Sequence, residues 1–157
     1  MGSGSNQSCQ IFHHSLIALT IDPNLTPFEQ LGGDAGVRAL VDAFYDRMDL
    51  EDAYAGIRAL HPATLDGSRD KLHMFLSGWL GGPALYVERF GHPRLRARHL
   101  PFAIAGTERD QWLACMRQAL DDVHTPPDLA QSLLRAFFDT ADWMRNRPEP
   151  DSPQDPV

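Results

Sequence analysis

Cysteine is scarce in this chain: only Cys9 and Cys115 occur among its 157 residues, far apart in sequence. Two distant cysteines make no disulfide framework, and there is no Cys-x-x-Cys pair to hold zinc. This usage fits a reducing, cytoplasmic setting. Long apolar runs are also missing. No stretch approaches the ~18 residues that mark a membrane span. The segment Ile11–Ile21 is apolar but short, and His13 and His14 interrupt it. No Lys or Arg precedes Arg38, so the basic start of a secretory signal is not seen. Positive charge is the minority sign, with 14 Lys and Arg against 21 Asp and Glu and a net charge of −7. Such a balance argues against nonspecific nucleic-acid binding, which needs a basic surface. No alternating run suits a sheet. Nothing repeats internally, and no flavin or nicotinamide motif is present.

What the chain does contain is helical patterning. Its length and 43% apolar content support a single domain with one core. Residues 1–25 show no clear period and are expected to form an N-terminal extension, opened by Met1-Gly2-Ser3-Gly4-Ser5. Thr26-Pro27-Phe28-Glu29 has the capping-box and proline signals of a short helix start, which Gly32-Gly33 ends. Asp34 is expected to cap the next helix. There Val37, Leu40, Val41, Phe44, Tyr45 and Met48 fall on one face. A second stripe runs through Ser68, Leu72, Phe75, Leu76, Trp79 and Leu80, ended by Gly81-Gly82-Pro83. Thr107-Glu108-Arg109-Asp110 is expected to open a third long helix, with Trp112, Cys115, Met116, Ala119, Leu120 and Val123 inside. Thr125-Pro126-Pro127-Asp128 opens a fourth, with Leu129, Leu133, Phe137, Ala141 and Met144 on one face. Residues 146–157 are rich in Pro and Asp and are expected to be a disordered tail. The domain is therefore placed at 26–145.

Periodicity alone gives an all-α domain, and the chemistry lies in its polar exceptions. His99 precedes Leu100-Pro101, and Pro101 forces any helix carrying His99 to finish almost there. A neutral imidazole at that point can ligate a metal through one nitrogen while the other donates to a helix carbonyl. The alternative is a surface histidine favoured by the helix dipole. Tyr45 and Trp112 lie on apolar stripes, as core aromatics or as donors into a pocket. Ser68 is a pocket residue or simply a helix-start residue. His61, before Pro62, sits in a loop. A zinc site from His61, His92 and His99 has no recognisable spacing. Lys71, Arg94, Arg96 and Arg98 make a basic patch that is either a solvated face or a clamp for a dianion.

Taken together, these pieces resemble the second group of the truncated globins. The glycine pairs Gly32-Gly33 and Gly81-Gly82 stand where that family has its glycine motifs. The run from Gly91 to Phe102, Gly-His-Pro-Arg-Leu-Arg-Ala-Arg-His-Leu-Pro-Phe, is similar to the stretch that holds the family's proximal histidine. Glu108-Arg109-Asp110-Gln111-Trp112-Leu113 resembles the start of the following long helix, with its distal tryptophan. Phe44-Tyr45 matches an aromatic pair whose tyrosine faces the distal pocket. The resemblance runs from about Phe28 to Met144, and the long N-terminal extension is a departure from it.

This resemblance implies a two-over-two helical sandwich around haem b. It makes His99 the iron ligand. Arg98 and Lys71 become propionate partners, and Leu72, Phe75, Leu76, Phe102 and Trp112 become cofactor contacts. On the distal side it places Tyr45, Trp112, Phe44, Ser68 and His61, with Tyr54 as the alternative to His61. Trp112, Tyr45 and His61 are expected to donate hydrogen bonds to a ligand. The implied function is reversible binding of dioxygen, carbon monoxide or nitric oxide. Two other readings use the same sequence. One is redox enzymology, such as nitric oxide dioxygenation or peroxide reduction, with an external reductase. The other is a haem-free helical interaction module. The expected form is a monomer or homodimer.

Overall fold

The computed structural model describes residues 24–148. The expected extension and tail therefore lie outside the described residues, except at 24–25 and 146–148. Among the described residues eight α-helices follow one another: α1 (Pro27–Gln30), α2 (Gly33–Leu50), α3 (Ala55–Arg58), α4 (Asp66–Trp79), α5 (Leu85–Phe90), α6 (Leu95–His99), α7 (Gly106–Asp122) and α8 (Pro127–Trp143). A 3-10 turn at Asp52–Tyr54 precedes α3.

Three of the four long helices bury most of the face their spacing selects, whereas on α4 Leu76 is buried and Ser68, Leu72, Phe75 and Trp79 are half-buried. α2 encloses Val37, Leu40, Val41, Phe44, Tyr45 and Met48. α7 encloses Cys115, Met116, Ala119 and Leu120, and α8 encloses Leu129, Leu133 and Phe137. α2 packs beside α4, α7 beside α8, and the two pairs cross where α2 meets α7. At that crossing the Cys115 thiol donates to the Phe44 carbonyl at 3.2 Å. Burial is worth about 2 kcal/mol per large apolar side chain, so these faces dominate stability. Ion pairs, partly exposed to solvent and therefore weak, then join neighbouring helices. Arg47 reaches Asp122 at 2.5 Å, Arg69 reaches Asp46 at 2.6 Å, and Arg109 reaches Asp142 at 2.7 Å.

The two glycine pairs meet through Phe28. The Phe28 amide donates to the Leu80 carbonyl at 2.9 Å, which lays its ring against Gly82. A Cβ on Gly82 would stand 2.5 Å from that ring, closer than side-chain atoms can approach, so only glycine fits. Gly32 has φ +102°, which lets the chain leave α1 and enter α2 in one step.

Three local expectations are corrected. Gly32, not Asp34, caps α2, and Asp34 lies in its first turn. Its carboxylate instead pairs with His73 Nε2 at 2.8 Å. α7 begins at Gly106, before Thr107. Glu108 accepts from the Ala105 amide at 2.9 Å, half of a capping box, since alanine offers no oxygen in return. Asn146, assigned to the tail from composition, is bonded into the fold. Its side chain accepts from the Ile104 amide at 3.0 Å and donates to the Phe102 carbonyl at 2.8 Å.

Candidate functional site

α6 is a five-residue helix with no buried residue. It stops at His99, as Pro101 requires. The His99 Nδ1 lies 2.6 Å from the Leu95 carbonyl. A carbonyl can only accept, so Nδ1 carries the proton and Nε2 keeps its lone pair. That is the tautomer of a metal-ligating histidine.

Tyr45, His61, Phe44 and Trp112 form one continuous group. The His61 ring meets Tyr45 edge-on, with centroids 5.7 Å apart. Tyr45 meets Phe44 at 5.0 Å, and Phe44 meets Trp112 at 5.1 Å. Trp112 in turn lies 5.3 Å from Phe137, on which Trp79 stacks at 4.7 Å. Burial pushes the Tyr45 pKa well above the ordinary tyrosine value; nearby Arg69 opposes the shift, and Cys115 adds to it. The hydroxyl is thus a permanent donor. Among the described residues, neither it nor the Trp112 indole N–H has a hydrogen-bond partner, and neither is sealed away from open space. Both donors are thus open to a partner from outside the chain.

His61 is half-buried, and its Nδ1 lies 2.8 Å from the Ile57 carbonyl. Burial holds its pKa below the usual 6.5; the Ile57 carbonyl opposes this, while Arg58 and His99 add to it. In its neutral form His61 has a bare Nε2 and can only accept there, which corrects the expectation of an N–H donor. Tyr54, the alternative at this position, is turned away, with its hydroxyl bonded to Gln118 Oε1 on α7.

On α4, Ser68, Leu72 and Phe75 are half-buried, while Leu76 is enclosed in the core behind them. Lys71 is exposed, and among the described residues it pairs with no carboxylate. Arg98 is partly committed: Nε donates to the Pro93 carbonyl at 2.8 Å, and the guanidinium lies 5.7 Å from the Tyr86 ring. Phe102 is exposed beside His99. An open cleft of about 620 Å³ runs between α4, the start of α6 and the end of α8, with Phe75, Trp79, Leu95 and Met144 in its walls. His92 is not near a second ligand; its Nδ1 accepts from the Arg94 amide at 3.1 Å. Among the described residues no three His, Cys, Asp or Glu side chains gather to hold a bare metal ion.

A family model described as "Bacterial-like globin" matches residues 26–146. The chain belongs to that family. Within it, the globin is 38% identical over 123 residues to the group 2 truncated haemoglobin YjbI of Bacillus subtilis, covering 78% of this chain and 90% of the relative. It superposes on the group II 2-on-2 haemoglobin of Agrobacterium tumefaciens with a TM-score of 0.77 and 42% identity, covering 83% of this chain and all of that one. It superposes on the truncated oxygen-avid haemoglobin of Bacillus subtilis with a TM-score of 0.71 and 38% identity, covering 78% of this chain and 100% of the other. The globin is thus a group II truncated haemoglobin, all-α, with helix pairs α2/α4 and α7/α8 in the two-over-two arrangement.

Globin membership implies haem and small diatomic ligands. The residues present fit that cofactor chemically: a histidine with a bare Nε2, half-buried apolar side chains on α4, and two unpaired donors near a second histidine. Among the described residues no helix is long and apolar enough to cross a membrane. Three contributors had escaped the sequence reading: Gln111, Gln118 and Asn146. Gln111 Oε1 accepts from the Ile57 amide at 3.2 Å, fastening the segment that bears His61. Its place beside Trp112 was the only hint.

Proposed function

We propose that this globin holds haem b through His99 and reversibly binds a diatomic ligand, dioxygen foremost, beside Tyr45 and Trp112. The observation that carries the reading is the pair of unpaired donors, Tyr45 O–H and Trp112 N–H, joined through Phe44 and flanked by His61. Haem supplies the iron to which such gases bind. The rest is done by side chains. Leu95 fixes the His99 tautomer, and its carbonyl makes the imidazole a stronger base. Trp112 is a rigid donor, whereas the Tyr45 hydroxyl can rotate to follow a ligand. His61 accepts at neutral pH and so orients a water beside the ligand rather than the ligand itself. Leu72 and Phe75 exclude water, with Leu76 supporting them, which strengthens the donor bonds. Ser68 borders the same side of α4. Lys71 and Arg98 are the cations assigned to the propionates in this reading, and Phe102 is assigned to the edge next to His99. Carbon monoxide and nitric oxide fit the same place.

The oxygen-avid character stated for the Bacillus subtilis protein supports dioxygen as the main ligand. Absorption spectra of the ferric, ferrous and ferrous–CO forms test the reading against His99→Ala. We expect a Soret band in the native protein and loss of the histidine-ligated spectrum in the variant. Identical spectra for both would overturn the role of His99.

A further inference from the structure

We infer that Asn146 is a positioning residue for His99, acting as a latch on the proximal side. This rests on His99 being the haem ligand. α6 contributes no buried side chain, so packing alone does not fix its height. The segment that follows α8 does. The Asn146 amide nitrogen donates to the His99 carbonyl at 3.2 Å and to the Phe102 carbonyl at 2.8 Å, and Oδ1 accepts from the Ile104 amide at 3.0 Å. The backbone amides of Asn146 and Arg147 both donate to the Ile104 carbonyl, at 2.8 and 3.1 Å. One α-turn back, Arg96 donates to the carbonyls of Trp143 and Arg145. Residues 143–147 therefore grip the chain on both sides of His99.

Only a primary amide suits this place. It must give to two carbonyls and take from one N–H, and Asn146 does so with three of its four hydrogen-bonding positions. The Leu95 carbonyl sets the rotation of the His99 ring, and Asn146 holds the backbone from which that ring projects. Together they determine how the imidazole meets the haem plane. The segment that follows α8 thus bears on the proximal bond.

Two substitutions separate the parts. Asn146→Ala removes all three side-chain bonds. Asn146→Asp keeps an acceptor for the Ile104 amide but turns a carboxylate toward two carbonyls. Resonance Raman of the ferrous form reads the iron–histidine stretch, and transfer of haem to apomyoglobin reads its retention. We expect a shifted, broadened stretch in both variants and haem loss faster by about tenfold, the worth of one or two hydrogen bonds. Asn146→Asp should be the more affected. A purely structural tether would lower the Tm of both variants while leaving the stretch unmoved, and that result overturns the latch. His99→Gly is the control. If it keeps the native stretch, the ligand assignment has failed; if it loses the stretch while both Asn146 variants keep theirs, only the latch has failed.

Discussion

His61 turns its Nδ1 toward the Ile57 carbonyl, 2.8 Å away, and this single contact decides which of its ring nitrogens can accept. The contact fixes Nδ1 as the protonated nitrogen, so Nε2 accepts until the ring is charged. Burial works against that charge and holds the pKa below 6.5. In the unfolded chain His61 takes up a proton near its ordinary value, while the native state resists. The unfolded state then binds more protons, so stability rises with pH across the window between the lowered native pKa and 6.5. We expect denaturant midpoints to fall as pH drops through that window. His61→Gln should flatten this part of the profile. An unchanged slope in the variant would assign the dependence to other groups.

Trp112 and Tyr45 should control how fast dioxygen leaves. Dioxygen held in such a pocket carries partial negative charge, whereas carbon monoxide carries little. A hydrogen bond to a charged acceptor in a dry site is worth about 1.5–3 kcal/mol. Trp112→Phe should therefore speed oxygen release by about 10- to 100-fold. Tyr45→Phe should speed it less, since a rotating hydroxyl loses more freedom on binding. Stopped-flow displacement of dioxygen and of carbon monoxide makes the comparison. Equal acceleration of both gases would point to a change in pocket shape rather than a lost donor.

Gln111 should matter through His61 alone. Its Oε1 takes the Ile57 amide at 3.2 Å, and the carbonyl of the same residue holds His61. Gln111→Leu leaves that half-buried amide without its side-chain partner, at a cost of about 1 kcal/mol. The His61 ring should then lose its fixed tautomer. Proton NMR of the ring, with its titration followed in Gln111→Leu, should show the pKa falling further below the ordinary value, because the Ile57 contact opposes the effect of burial. A native titration curve would mean that Ile57 is held well enough by its helix.

The four stripes were legible because a 3.6-residue period needs no knowledge of distant partners, and α2 buries the six positions that its spacing selects. His99 was legible for a similar reason: Pro101 ends any helix there, whatever surrounds it. The helix starts were less so. Gly32 opens α2 through a positive φ rather than a side-chain oxygen, so Asp34 was a false signal. Asn146 was illegible because its three side-chain partners lie more than 40 residues back, while its neighbours are the prolines and acids of a tail. The state of His61 depends on a carbonyl one turn earlier and on burial, which residue identity alone does not give. Sequence alone did not show that Tyr54, the alternative to His61, is engaged by Gln118.

Phe44 ties the core to the site, and its replacement separates the two. It is fully buried, its carbonyl accepts from Cys115, and its ring touches both Tyr45 and Trp112. Phe44→Ala should cost about 3–5 kcal/mol, or about 10–20 °C in Tm for a chain of this size. Phe44→Leu keeps much of the volume and should cost about 1–1.5 kcal/mol, leaving a folded protein in which Trp112 has lost one of its two aromatic neighbours. The indole is then free to tilt, and its N–H no longer has a fixed direction. Oxygen release from Phe44→Leu should quicken severalfold, while Trp112→Phe placed on top should add less than it does in the native background. That non-additivity is what a shared device predicts. If the two substitutions multiply as independent effects, Phe44 is a core residue only and Trp112 is oriented by Phe137 instead.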